Sequence, residues 1–151
     1  MNKKRISATP AEKIALSVYV KLMRAVESFT ARAHTHIAEA GLTISQFGVL
    51  EALYHLGPLT QGEIGRKILR TGGNMTMVID NLEKNGLVAR ERNTDDRRFF
   101  TIKMTPAGEK LISKIFPVHA KRIAEEMSVL SEEEQELLGE LCKKLGRSGD
   151  K

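Results

Sequence analysis

The sequence predicts a mostly α-helical fold carrying one small β-hairpin. Three observations predict it. Capping-box patterns stand ahead of apolar segments at Thr9, Thr43, Thr60 and Ser131, each a Ser or Thr followed three residues later by Glu or Gln. The apolar residues after these caps return every three or four positions, which is the helical period. Only Leu87–Arg92 and Phe99–Met104 read as strands, and a polar run, Asn93-Thr94-Asp95-Asp96-Arg97-Arg98, joins them.

Taken in order, Thr9 caps the first helix and Pro10 occupies its first turn. That helix is expected to run to about Ala40, with Ile14, Val18, Leu22, Val26, Phe29, Ala33 and Ile37 along one stripe. Leu16, Tyr19, Val20 and Met23 widen the apolar surface of its first half. A helix apolar on more than one side needs more than one neighbour. Its first half is therefore expected on a partner subunit and its second half on its own chain. Gly41 ends it. Thr43 opens a helix bearing Phe47, Leu50, Leu53, Tyr54 and Leu56, which stops at Gly57-Pro58 and should form a floor beneath the helix near residues 74–85.

Leu59 leads in extended form to the Thr60 cap of a short helix with Ile64, Ile68 and Leu69. Arg70-Thr71-Gly72-Gly73 breaks that helix, because glycine adopts backbone angles other residues avoid. A second helix is expected from about Gly73 or Asn74 to Asn85. Its apolar face is Met75, Val78, Ile79 and Leu82, and Gly86 stands where a left-handed cap belongs. After the hairpin, Thr105 caps and Pro106 opens a helix with Leu111, Ile112, Ile115 and Phe116. Pro117 should kink or divide it, and Val118, Ile123, Met127 and Leu130 continue the apolar pattern. The last helix carries Leu137, Leu138, Leu141, Cys142 and Leu145 and stops at Gly146. The first eight or so residues and the 147–151 tail are expected to be disordered.

Two features of the middle point to duplex DNA. The polar face of the Asn74–Asn85 helix holds Gly73, Asn74, Thr76, Met77, Asn81 and Lys84, and is almost uncharged. Short amides and hydroxyls suit approach to base edges in a major groove, where Asn pairs with adenine at two points and methyl groups meet thymine. A solvated helix with mixed polar residues is the alternative, and the hairpin weighs against it. From Leu87 to Lys103 it holds five basic residues (Arg90, Arg92, Arg97, Arg98, Lys103) against three acidic ones. Arginine at a hairpin tip suits a narrow minor groove, and Asp96, two residues before Arg98, can hold its guanidinium. A capped helix, a glycine break, a second helix and a basic hairpin together read as a winged helix-turn-helix over 44–104. The helices at 9–40 and 106–146 then form a dimerisation region.

Composition sets limits. The 151 residues carry 24 Lys and Arg against 19 Asp and Glu, a net charge of +5, which favours a polyanionic partner without defining it. Lys3, Lys4 and Arg5 make the N-terminus basic, and Glu132, Glu133, Glu134, Glu136 and Glu140 make the last helix acidic. One cysteine excludes an internal disulfide and a cysteine-rich zinc site. No apolar run is long enough to cross a membrane, and there is no signal core, so a cytoplasmic protein is expected. Few aromatics and no Trp argue against a single-strand stacking platform.

The run Gly73-Asn74-Met75-Thr76-Met77-Val78-Ile79-Asp80-Asn81-Leu82-Glu83-Lys84-Asn85-Gly86-Leu87-Val88 resembles the recognition helix and following strand of MarR-family transcription factors. Asp95-Asp96-Arg97-Arg98 resembles their wing signature, an Asp-x-Arg formed by Asp96 and Arg98, and Met104-Thr105-Pro106-Ala107-Gly108-Glu109-Lys110 resembles the start of their next helix. The resemblance implies a homodimeric winged-helix regulator, usually a repressor, that binds a pseudo-palindromic double-stranded operator and is released by a small ligand or an oxidant. It places the face just named in the major groove and Arg97 and Arg98 in the minor groove. Thr60, Arg70, Thr71, Arg90 and Arg92 are expected against the phosphate backbone.

Regulation is less legible. A pocket between dimer helices and winged domain is expected to be walled by Phe29, Ala33, His36, Ile37, Phe47, Tyr54 and His55, with a small aromatic compound as effector. A metal-sensing reading would use His34, His36, His55 and His119, but His34 and His36 are two residues apart and make no i, i+4 pair, so no metal and no other cofactor is expected. Cys142 lies in the last apolar stripe and reads as a buried filler, which disfavours redox sensing. No phosphate loop, nucleophile elbow or zinc-binding His pair suggests an enzyme. A helical adaptor that binds only protein would not need Arg97 and Arg98 at a hairpin tip.

Overall fold

All four capping boxes form, and they set where the helices begin. The Thr9, Thr43 and Thr60 hydroxyls accept from the amides of Glu12, Gln46 and Glu63, whose side chains accept in return from the cap amides. Ser131 and Glu134 do the same at 3.2 and 2.8 Å. The computed structural model describes residues 8–68, 74–96 and 98–147. In order these form α1 (Pro10–Ala33), α2 (Thr35–Glu39), α3 (Ile44–Leu56), β1 (Leu59–Thr60), α4 (Gln61–Lys67), α5 (Met75–Lys84), β2 (Val88–Arg92), β3 (Phe100–Met104), α6 (Pro106–Met127) and α7 (Glu132–Arg147).

The sheet is larger than the expected hairpin. Leu59-Thr60 adds a third strand, giving an antiparallel sheet in the order β1-β3-β2. Leu59 pairs with Ile102 on one side of β3, and Arg90 pairs with it on the other. One core lies beneath. Phe47, Val49, Leu50 and Leu53 of α3 pack with Ile64 of α4, Met75, Ile79 and Leu82 of α5, Val88 and Ile102 of the sheet, and Ile112 and Ile115 of α6. α3 is thus the floor under α5, as its apolar run implied.

One helical expectation needs correction. The helix expected to reach Ala40 ends at Ala33. His34 leaves the helical region at φ −106°, ψ 4°, and the chain restarts as α2. The Thr30 hydroxyl, bonded back to the carbonyls of Val26 and Glu27, is the kind of contact that bends helices. After the break His36 and Ile37 are buried in the core. Gly41, at φ 76°, then closes α2 so that Leu42 bonds back to Ile37. Of the two outcomes expected at Pro117, division does not occur: α6 runs on past it. Pro117 lies on the exposed side, where water can satisfy the carbonyl one turn back that has lost its donor.

The long helices are mostly uncovered. In α1 only Ala33 is buried; Ile14 is 68% exposed and Tyr19 60%. α7 buries nothing, and Leu137, Leu141 and Leu145 lie open. Near its end α1 is tied to α6 by the Arg32–Glu126 pair, and just beyond it Arg122 donates to Thr35 of α2. Cys142, expected to be buried, is exposed beside Leu141 on α7.

The junction of sheet and α6 is tight. Gly108 is buried, and a Cβ there would run into the Leu87 carbonyl and the Met104 side chain. That carbonyl accepts from the Thr105 amide, and the Thr105 hydroxyl donates to the Gly86 carbonyl while capping α6. Gly108→Ala is therefore expected to cost about 3 kcal/mol through forced displacement. Urea unfolding should show a lower midpoint than the parent, and an unchanged midpoint would contradict this close approach.

Candidate nucleic-acid interface and adjoining pocket

α5 divides cleanly into a buried and an exposed face. Met75, Ile79 and Leu82 are buried and Val78 is partly so, while Asn74, Thr76, Met77, Asn81 and Lys84 are on the open side. Asn74 occupies the N-cap position but its side chain caps nothing, and its amide instead lies 3.5 Å from the Met77 sulfur. That amide is thus not consumed by the helix. Thr76 accepts a hydrogen bond from Gln61 at 2.7 Å, which ties the start of α5 to the start of α4.

At the wing, Asn93 organises the turn by accepting from the amides of Asp95 and Asp96. Asp96 then grips Arg98 three ways. Its carboxylate takes the Arg98 amide at 3.0 Å, Nε at 3.0 Å and Nη2 at 2.7 Å. These hydrogen bonds, side chain first and backbone second, hold the Asp96 carboxyl below its ordinary range. The Arg98 side chain is nonetheless 84% exposed. A fixed orientation and a solvated guanidinium are what a protruding cation needs to meet an anionic groove.

The remaining expected contacts are placed as follows. Thr60 is occupied by its capping box, and its hydroxyl donates to Glu63. Arg92 is exposed and its guanidinium lies 5.8 Å from the centre of the Phe100 ring. Arg90 is turned away from solvent, bonded to Asp80 and Glu83 of α5. Gly73, Arg70, Thr71 and Arg97 lie outside the described residues. Sequence reasoning missed Phe99 and Phe100, exposed beside Arg98, and Arg66, which lines a cleft with them and with Gln61. The aromatic pair in an otherwise polar hairpin was the signal.

A pocket of about 450 Å³ opens beside this domain. Of the seven expected wall residues, Phe47 and His55 line it. Ala33, His36 and Ile37 are buried behind it, Phe29 is not among its walls, and Tyr54 faces a different cleft. His34 and His119 also line it, together with Ile44, Glu51, Lys67 and Ile68 among others. His119 stacks near Phe47, with ring centres 4.7 Å apart, and its Nδ1 lies 3.2 Å from His36 Nε2. Burial, with His36 and His34 close by, lowers the His119 pKa to about 4. His36 is lowered too, by burial and by Arg122 and His34. The His36–His119 pair is therefore neutral at pH 7. No sequence spacing links position 119 to position 36; only the packing of α6 on α2 does.

A three-stranded winged sheet, a polar recognition helix and a carboxylate-held wing arginine define a DNA-binding regulator of the winged helix-turn-helix class. The comparisons with known proteins agree. The profile of the MarR family matches residues 42–99. The HTH-type transcriptional regulator MhqR of Bacillus subtilis is 41% identical over 132 residues, 87% of this chain and 91% of its own length. The chain belongs to the MarR family. Among solved structures, a Staphylococcus aureus MepR–DNA complex has 28% identity and a TM-score of 0.75, covering 86% of this chain and 97% of that one. Bordetella bronchiseptica BpsR, described for regulation of its DNA binding by 6-hydroxynicotinic acid, has 26% identity and a TM-score of 0.76, covering 86% and 98%. The relatives are transcriptional regulators, and this chain is not an enzyme.

The neutral pair carries a pH dependence. Unfolded, His119 binds a proton below about 6.5; folded, it resists until about 4. Between those values the unfolded chain holds more protons, so stability falls as pH falls. The Glu12, Glu63 and Asp96 carboxyls are held below their ordinary range by their hydrogen bonds, so their own contribution is lost mainly at more acid pH. The melting temperature should drop from pH 7.5 to pH 5, and His119→Phe should flatten the drop. Equal slopes in parent and variant would show that His119 is not held neutral.

Proposed function

We propose that the chain is a sequence-specific transcriptional repressor that binds a pseudo-palindromic operator as a homodimer in the cytoplasm and is released by a small aromatic ligand. The observation that carries this reading is Asp96 holding a solvent-exposed Arg98 at the tip of a wing beside a recognition helix whose outer face is polar and almost uncharged. In this reading residues 44–104 meet DNA, with Gly73, Asn74, Thr76, Met77, Asn81 and Lys84 in the major groove. Arg97 and Arg98 enter the minor groove, and Arg70, Thr71 and Arg92 meet phosphates.

Residues 9–40 and 106–146 hold the dimer. Ile14, Leu16, Val18, Tyr19, Val20 and Met23 of α1, and Leu137, Leu141 and Leu145 of α7, are all uncovered in the single chain. Half-burying six such side chains contributes roughly 5–10 kcal/mol, which rivals the whole stability of a small domain. A two-fold pair also sets two recognition helices about one helical turn apart, ~34–36 Å. Phe47, His34, His55 and His119 offer a pocket with apolar and aromatic walls and imidazoles that donate or accept a hydrogen bond. Such a lining suits a hydroxylated ring, and BpsR, a similar structure, is described as regulated by 6-hydroxynicotinic acid. To act, the ligand must bind one spacing of the recognition helices better than the other.

The test is a titration of the purified protein with the DNA upstream of its own gene, with and without phenolic and other aromatic compounds. Salt-sensitive binding weakened by one such compound is the expected result; indifference to every duplex at low ionic strength would overturn the reading. Arg98→Ala should weaken operator binding roughly tenfold or more, and unchanged affinity at moderate salt would contradict the wing's role. Asn81→Ala should relax preference at particular base pairs rather than uniformly, read by selection from randomised duplexes.

A further inference from the structure

Arg90 reads from sequence as a phosphate contact; its geometry suits a different task. α5 ends at Lys84, the chain turns through Gly86 at φ 70°, and β2 returns along the helix. β2 is an edge of the sheet. The Arg90 amide donates to Glu83 Oε1 at 3.0 Å, and Nη1 of the same residue donates to Glu83 Oε2 at 2.6 Å. The other arm of the fork, Nη2, donates to Asp80. Asp80 and Glu83 stand three residues apart, so one guanidinium spans successive positions on one flank of the helix. Its side chain is only 21% exposed.

We propose that Arg90 is a positioning residue that fixes the angle of the recognition helix relative to the wing and masks two carboxylates bordering the DNA-facing surface. The inference rests on the DNA-binding reading. Apolar packing of Ile79 and Leu82 buries α5 but is non-directional, whereas a two-armed ion pair with a backbone bond beside it has a defined geometry. Reading base edges requires side chains held within about half an ångström, and such precision comes from supporting hydrogen bonds. The Arg90 bonds join the flank of α5 to β2, while Gln61 pins the opposite end of the helix through Thr76. Asp80, 55% exposed, would otherwise set an uncompensated charge near the phosphates.

The two roles predict opposite signs. If Arg90 served a phosphate, Glu83→Gln would free the guanidinium, remove a negative charge and tighten binding. If Arg90 positions the helix, Glu83→Gln loosens it and weakens operator binding, by about five- to tenfold, while affinity for a random duplex holds or rises. Arg90→Met should lose operator affinity to a similar extent, with the salt slope on the random duplex unchanged; a lost phosphate contact would lower that slope by about one. Arg90→Lys keeps the charge without the fork and should not restore discrimination.

Fluorescence anisotropy on operator and random duplexes across a salt series reads all three variants, with melting temperatures alongside. Should Arg90→Met unfold, Glu83→Gln alone carries the comparison. Operator binding by Glu83→Gln equal to or tighter than the parent would overturn the proposal. So would an Arg90→Met loss that is the same on both duplexes and removes one unit of salt slope. A parent protein that binds no duplex would instead bring down the DNA reading itself, and this inference with it.

Discussion

The burial of one face of α5 is the constraint on which the remaining architecture depends. Met75, Ile79 and Leu82 enter a core floored by α3 and closed by Val88, Ile102 and Ile112. A ten-residue helix has little stability of its own in water, so it exists only as far as that face is packed. Packing it leaves the opposite face outward, and that face is the one bearing Asn74, Met77 and Asn81. The sheet then continues directly from the helix through Gly86, which is why the wing and the recognition helix share one corner. Gly108 sits behind that corner with no room for a side chain.

The helical frame outside this corner has the opposite character. α1 and α7 carry apolar surface that the other described residues leave exposed, whereas α6 turns Ile112 and Ile115 into the core of the winged domain. The pocket lies where the two meet, walled by His34 before α2, by α3, by the end of α4 and by His119 of α6. A molecule seated there touches both parts at once. That position makes it suited to altering how the winged domain is carried on the proposed dimer, without any contact to DNA.

Elements with local signatures were readable from sequence. The capping boxes at Thr9, Thr43, Thr60 and Ser131, the glycine cap at Gly86 and the Asp96–Arg98 pair are all interactions within a few residues, and each forms as read. Long-range features were not. β1 is two residues long and exists only because Ile102 and Thr101 offer it a partner. The pocket walls depend on α6 laying His119 against His36. Arg90 was legible as a cation, but its partners sit seven and ten residues back on another element, so its geometry was not. Exposure on α7 misled in the same way. An apolar stripe reads as buried, and Cys142 with it, although no residue of that helix is buried by the described part of its own chain.

Hydroxyl-radical footprinting of the protein on the DNA upstream of its gene bears most directly on recognition by a paired α5 and wing. Two protected segments related by a dyad, with centres about one helical turn apart and flanking minor-groove protection that disappears with Arg98→Ala, are expected. A single protected segment at saturation, or protection without any dyad, would contradict two-fold reading of the operator.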